Sequence, residues 1–474
     1  MAFGATNNPD YAYLAGKITA EEAKALGVHW VLAPVADVNN NPDNPIVNIR
    51  SYGEDAGQVA RFVAAFVRGC EENGVLATAK HFPGHGDTAT DSHMTLPVIS
   101  ADRARLDAVE LVPFRAAIAA GVSAVMPGHL ALPAIEPEAQ LPATLSSAVI
   151  TGLLRRELGF DGLVISDALN MGAITNNFWV GEAAVRAVLA GTDVLLMPPE
   201  PRAVLAALKQ AVHAGRLSQA RLDASVERIL RAKARLELHR QRTVNLDAVA
   251  HTVANQVSKE TAQEIADRAV TLVRDETNLV PLDATQPRRA LLIIVSGDPD
   301  PYPGETLQRE LEWRVDRLEV IRTDTRFARS AEVTLPPAEN FDCVIVAVFV
   351  QVADRKGTVA LPAEQVALVE EVLGWQKPSV LVVLGSPYLV ARFPQAKAVL
   401  CTFSTMEVTE RAAIRALFGQ VEIAGRLPVT VPGVAARGDG LSRARLPMEL
   451  QPPPPEDTSR TPYDSALRSL ALSW

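Results

Sequence analysis

Cysteine is scarce in this chain: Cys70, Cys343 and Cys401 are the three in 474 residues. They lie far apart, within or beside apolar segments and without metal-ligand spacing, so they read as core thiols rather than as a disulfide framework or a zinc site. Long apolar runs are missing too. The stretch 344–350 falls far short of the roughly 18 residues that a membrane span requires. Residues 1–10 have neither the basic nor the apolar region of a secretory leader. There is no surplus of positive charge: 46 Lys and Arg stand against 55 Asp and Glu, a formal charge of −9. This argues against nucleic acid or an anionic membrane as partner and favours a neutral or modestly charged substrate. No internal repeat is visible.

What is present is alternation, in a chain that is 48% hydrophobic and long enough for two domains. Residues 31–35, 75–79, 124–126, 163–165 and 194–197 are short apolar runs. Helix-period stretches lie between most of them, such as 56–72, with Val59, Phe62, Val63, Phe66 and Val67 on one face, and 103–120. Repetition of this βα kind predicts a parallel sheet. Its strand ends carry Asp37, Lys80 with His81, His129 and Asp167. Polar groups gathered at carboxyl ends suit a (β/α) barrel, and an open doubly wound sheet offers them as well; the barrel is the favoured reading.

A charged helix from Gly215 to about Leu238 and a helical stretch at 257–273 lead into a second α/β pattern. Its expected strands are 290–295, 343–350, 380–384 and 398–402, with helices at 363–373 and 407–418. Breakers around Pro281 and Pro287 mark a boundary. The organisation expected is a barrel domain at 1–240, a helical linker at 241–284, an α/β sandwich domain at 285–440 and a Pro-rich tail at 441–474, with Pro452–Pro455 as a polyproline spacer.

Chemistry concentrates in the loop after the second strand, Lys80-His81-Phe82-Pro83-Gly84-His85-Gly86-Asp87-Thr88-Ala89-Thr90-Asp91-Ser92-His93. Loops held by a rigid strand are where enzymes keep reactive groups. Asp91 and His93 can meet on a bent loop, the carboxylate fixing the tautomer while the second ring nitrogen exchanges a proton with substrate. Two other readings stand beside this one: Asp91 as a turn cap on a solvated loop, and a metal site drawn from His81, His85, Asp87, Asp91 and His93. In Gly162-Leu-Val-Ile-Ser166-Asp167 an apolar strand ends on a carboxylate, which suits a nucleophile or a helix N-cap. Arg50 reads either as a ligand for substrate hydroxyls or as a partner of Glu54 or Asp55. His129 either faces the pocket or is a hydrogen-bonded structural histidine.

Together these segments resemble glycoside hydrolase family 3, and within it the β-N-acetylglucosaminidase branch that trims peptidoglycan fragments. The resemblance runs through Ala33-Pro-Val-Ala-Asp37-Val-Asn39, Asn44-Pro-Ile-Val-Asn-Ile-Arg50-Ser51, the Lys80 to His93 loop, Pro142-Ala-Thr-Leu-Ser146 and Ser166-Asp167-Ala-Leu-Asn-Met171. Gly425-Arg-Leu-Pro-Val-Thr-Val-Pro432 looks like the end of the α/β sandwich domain of longer members. The resemblance implies Asp167 as catalytic nucleophile, His93 as general acid/base and Asp91 as its dyad partner. It implies Arg50, Lys80 and His81 as ligands of the sugar hydroxyls, with Asp37, His129 and Met171 in the substrate pocket. No cofactor or metal takes part in the implied retaining mechanism.

The resemblance also implies about three further βα units and an Asp-Gln-Glu-Gly-Gly strand end before the segment matching Met1, which this chain does not show. The fold expected is therefore a TIM-type (β/α)8 barrel lacking about its first three units, followed by the sandwich domain. The substrate expected is a muropeptide bearing N-acetylglucosamine, with a monomer as the complete form, and the compartment is either cytoplasmic or exported. Two alternatives accompany the hydrolase: a non-catalytic remnant or fragment of such an enzyme, and a β-N-acetylglucosaminide phosphorylase.

Overall fold

Three of the expected N-terminal strands form a continuous parallel sheet in the computed structural model, which describes residues 1–138, 141–283, 288–297, 303–324, 333–353 and 356–447. They are β1 (Thr78–Phe82), β2 (Ala124–Pro127) and β3 (Leu163–Val164), paired in chain order with Thr78 against Ala124 and Ala124 against Leu163. The two remaining apolar runs join its edges through parallel bridges, Trp30 to Leu76 and Val35 to Lys80 on one side and Ile165 to Val194 on the other. Among the described residues no pairing links the 30–35 segment to Val194, so this row is open and a closed barrel is not formed by it.

Helices cover the row because their apolar stripes have nowhere else to go. Helix Ala56–Glu72 buries Val59, Phe62, Val63, Val67 and Cys70 in one core with Ala79, Phe82 and Val125 of the sheet. Each such aliphatic or aromatic side chain contributes about 1.5–3 kcal/mol on burial. The helix expected at 103–120 runs from 103 to 119 with a widened turn at Leu106–Glu110 in its middle.

The second half is a six-stranded sheet in the order β4-β9-β8-β7-β5-β6, from β4 (Thr271–Asp275), β5 (Arg289–Ser296), β6 (Arg317–Asp324), β7 (Cys343–Val350), β8 (Ser379–Gly385) and β9 (Ala398–Cys401). All neighbours are parallel except β4 with β9. Both faces of the inner strands are covered, which explains their unbroken apolar runs. Val344, Val346 and Val348 of β7 enter one core with helix Ala363–Leu373, while Ile345, Ala347 and Phe349 enter another with helix Glu407–Leu417.

Several boundaries differ from expectation: the strand expected at 75–79 runs over Thr78–Phe82, and the charged helix expected from Gly215 to about Leu238 is Gln219–Arg235. The helical stretch expected at 257–273 ends at Ala269 and turns into β4. Val270, Thr271 and Val273 are β-branched and stiff at χ1, which favours the extended edge strand over the helix. After residue 440 the chain still holds to this sheet, with Leu441 bridging Leu272 and Arg443 bridging Ile423. The spacer Pro452–Pro455 lies outside the described residues. Among those described, no helix is long and apolar enough to cross a membrane.

Candidate active site

β1 carries Lys80 and His81 in its last three residues, and the neighbouring segment brings Asp37 beside His81. The Asp37 carboxylate is fully buried. One oxygen accepts from His81 Nδ1 at 2.7 Å, and the other accepts from the backbone N–H of His81 at 3.1 Å and of His85 at 2.7 Å. Because a carboxylate only accepts, the His81 proton sits on Nδ1. Burial works to raise the Asp37 carboxyl, but the histidines at 81 and 85 outweigh it and hold the group below its ordinary value.

Further along the loop, His93 donates to one Asp91 oxygen twice, from its backbone N–H at 2.8 Å and from Nδ1 at 2.9 Å. Asp91 is buried, whereas the His93 side chain keeps 21% of its surface. The dyad therefore has a fixed tautomer and a partly exposed histidine. Two glycines let the loop lie this close to its surroundings. A Cβ at Gly86 would stand 1.7 Å from the Val38 carbonyl oxygen, and one at Gly172 would stand 2.7 Å from that of His93. Gly172 and Ala173 donate their N–H groups to the carbonyls of His93 and Ser92, at 3.0 and 3.3 Å, and the Asn176 amide donates to that of Met94 at 2.9 Å.

Those three donors follow Asp167, so the Asp91–His93 loop is fastened to the loop that carries Asp167. Asp167 leaves β3 half-buried, with one oxygen accepting from Ala168 N–H at 2.8 Å. Burial would raise its carboxyl, yet His81, His129, the Ala168 N–H and Lys80 together hold it below the ordinary carboxylate range. Lys80 is itself pushed down, first by burial and then by Arg50, against the pull of Asp167 and Asp37. His129 is fully buried: Nε2 donates to the Ala168 carbonyl at 3.0 Å, so Nδ1 receives the Thr144 hydroxyl at 2.8 Å. Both of its ring nitrogens are thus hydrogen-bonded within the protein.

Residues 1–232 match the glycosyl hydrolase family 3 N terminal domain and residues 270–464 the glycosyl hydrolase family 3 C-terminal domain. The beta-N-acetylglucosaminidase/beta-glucosidase of Cellulomonas fimi is 31% identical over 445 residues, covering 90% of this chain and 79% of that one. This chain belongs to glycosyl hydrolase family 3. Beta-hexosaminidase A of Pseudoalteromonas piscicida is 28% identical over 91% of the chain and 79% of its own length. The solved family 3 beta-N-acetylglucosaminidase from Paenibacillus sp. str. FPU-7 superposes with a TM-score of 0.80 at 36% identity, over 91% of this chain and 82% of that one.

The remaining candidates of this family 3 chain stand in different surroundings. Arg50 is exposed and donates to the Ile46 carbonyl at 2.9 Å. Neither expected partner holds it, since Glu54 binds Thr430 and Asp55 caps helix Ala56–Glu72 through Gln58 N–H. Met171 is buried and precedes the short helix Gly172–Thr175. The five candidate metal donors do not converge. His81 is turned to Asp37, His85 is hydrogen-bonded to Thr88 and Ser92, Asp87 lies 3.8 Å from Arg105, and Asp91 and His93 hold each other. Among the described residues no three His, Cys, Asp or Glu side chains gather round one point.

Asn44 is a residue whose role sequence reasoning missed. Its amide nitrogen donates to the carbonyls of His85 and Gly86, at 2.8 and 3.1 Å, and its oxygen accepts from the N–H groups of Ile46 and Val47. Asn before Pro45 is a turn signal, and that signal pointed to its own loop rather than to the one it clamps.

Proposed function

We propose that this family 3 enzyme is a retaining hydrolase that removes non-reducing terminal N-acetyl-β-glucosamine from peptidoglycan-derived muropeptides or related glycosides. The observation that carries this reading is the Asp91–His93 pair fastened by backbone hydrogen bonds to the loop that follows Asp167. In the proposed reaction Asp167 attacks the anomeric carbon while His93 protonates the departing oxygen. His93 then takes a proton from water as that water releases the sugar from Asp167. Asp91 orients the imidazole. Asp37, through His81, together with Lys80 and Arg50, holds the sugar hydroxyls, with His129 and Met171 shaping the pocket floor.

The parallel row within residues 1–240 is read as part of a TIM-type (β/α)8 barrel, whose active sites lie at the carboxyl ends of the strands. The six-stranded sheet is read as the α/β sandwich domain. The experiment is proton NMR of the first sugar released from an aryl N-acetyl-β-glucosaminide and from a muropeptide fragment, in buffer without phosphate. Initial β-anomer from both substrates is expected. Initial α-anomer, or turnover that requires added phosphate, would contradict hydrolysis with retention.

A further inference from the structure

His85 has a carboxylate neighbourhood and a buried ring, yet the proposed reaction gives it nothing to do. It is 1% exposed, with Nδ1 3.0 Å from the Thr88 hydroxyl and Nε2 3.1 Å from the Ser92 hydroxyl. Its backbone N–H donates to Asp37 at 2.7 Å, and its carbonyl accepts the Asn44 amide at 2.8 Å. Thr88 and Ser92 are buried as well. Residues 83–97 belong to no helix or strand, so side chains must supply the register that a backbone ladder supplies elsewhere.

We propose that His85 is a positioning residue that braces the acid/base loop from within, tying Ser92, and through it the adjacent Asp91–His93 pair, to the Asp37 anchor. The assignment rests on His93 being the acid/base. Ser92 lies between the two dyad residues, and its carbonyl accepts Ala173 N–H at 3.3 Å on the nucleophile's side. One end of the brace is thus set by the sugar-binding carboxylate and the other by the loop beyond Asp167. Burial presses the His85 ring down to about 4, so it is neutral at working pH, one nitrogen donating and the other accepting. Hydroxyls accommodate either role, which makes Thr and Ser suitable partners for a neutral imidazole. An acid must stand within hydrogen-bond reach of the leaving oxygen, and a displacement of about 1 Å costs on the order of a hundredfold in rate.

The test uses the full chain with Ser92→Ala, His85→Gln and His93→Ala, and Ser92→Ala combined with His93→Ala. kcat/KM is measured on aryl N-acetyl-β-glucosaminides of graded leaving-group acidity. A brace acting through the acid predicts that Ser92→Ala loses about tenfold or more on poor leaving groups and little on the most activated one, within the range that general acid catalysis spans. His85→Gln should behave alike. In the His93→Ala background, Ser92→Ala should add almost nothing, because the group it positions is gone. Equal loss across all leaving groups for Ser92→Ala, or full additivity with His93→Ala, would overturn the bracing role while leaving the acid/base in place. A His93→Ala variant impaired equally on every leaving group would overturn the acid/base assignment and the brace with it.

Discussion

Asp167, half-buried, and Asp37, buried, both have carboxyls held below the ordinary carboxylate range, and the proposed reaction gives them opposite duties. Asp167 keeps its hydrogen bonding sparse, with Ala168 N–H its one backbone donor among the described residues, as suits the proposed nucleophile. Asp37 is saturated by His81 and His85, as suits a fixed anchor. Asp167→Ala should lower hydrolysis of an aryl N-acetyl-β-glucosaminide by roughly 10⁴-fold or more, the scale seen when a nucleophile is removed elsewhere, while binding of the product sugar by calorimetry persists. Asp37→Asn tests the anchor through stability. The Asp37 carboxyl lies below its unfolded value of about 3.9, so its contribution is fully present above that pH and fades as pH falls through the folded value. The melting temperature of Asp37→Asn should therefore trail the parent at pH 7, and the gap should narrow toward pH 3. A gap that widens in acid would contradict the ionised anchor. Residue identities were legible in sequence because Asp, His and Lys stood at the ends of apolar runs. The Asp91–His93 pairing was legible too, its members two positions apart, but Asp37 with His81 spans 44 positions, and nothing in local spacing announces it.

At the scale of elements, the loop from β1 to Val98 owes its place to close backbone approaches rather than to regular structure. Gly86→Ala would push a methyl into the Val38 carbonyl, at a cost of about 1–3 kcal/mol. It should also reduce kcat more than KM, because the displaced loop carries the proposed acid and not the proposed sugar anchors. Steady-state kinetics with a thermal melt would check this, and unchanged kcat would show that the loop does not rest on Gly86. Strands and helices with strong apolar periodicity were read closely from sequence, helix Ala56–Glu72 and helix Ala363–Leu373 to the residue. The misread stretch was 270–273, where a short β-branched run directly follows a helix and periodicity alone does not separate the two states. Edge pairing with β9, remote in sequence, decided it.

Across the whole molecule the two halves meet beside the site. The Asn39 amide, two residues from Asp37, donates to the Tyr388 hydroxyl at 2.8 Å, and Glu54 accepts from the Thr430 backbone at 2.8 Å and its hydroxyl at 2.7 Å. Tyr388→Phe would leave the buried Asn39 amide short of a partner, costing about 1–3 kcal/mol. The expected outcome is an earlier urea midpoint with an unchanged slope, accompanied by a modest rise in KM. A change in slope with no change in KM would place the effect outside the sugar site. None of this docking was legible beforehand, since partners some 350 positions apart leave no periodic trace.

The most direct test of the central claim is covalent trapping with a fluorinated N-acetylglucosaminyl inactivator, followed by mass spectrometry of the digested protein. Retaining hydrolysis through Asp167 predicts one sugar adduct on the peptide that contains Asp167, protected by excess N-acetylglucosamine and abolished in Asp167→Ala. A sugar carried by another carboxylate, or turnover of the inactivator with no adduct and inversion at the anomeric carbon, would contradict it.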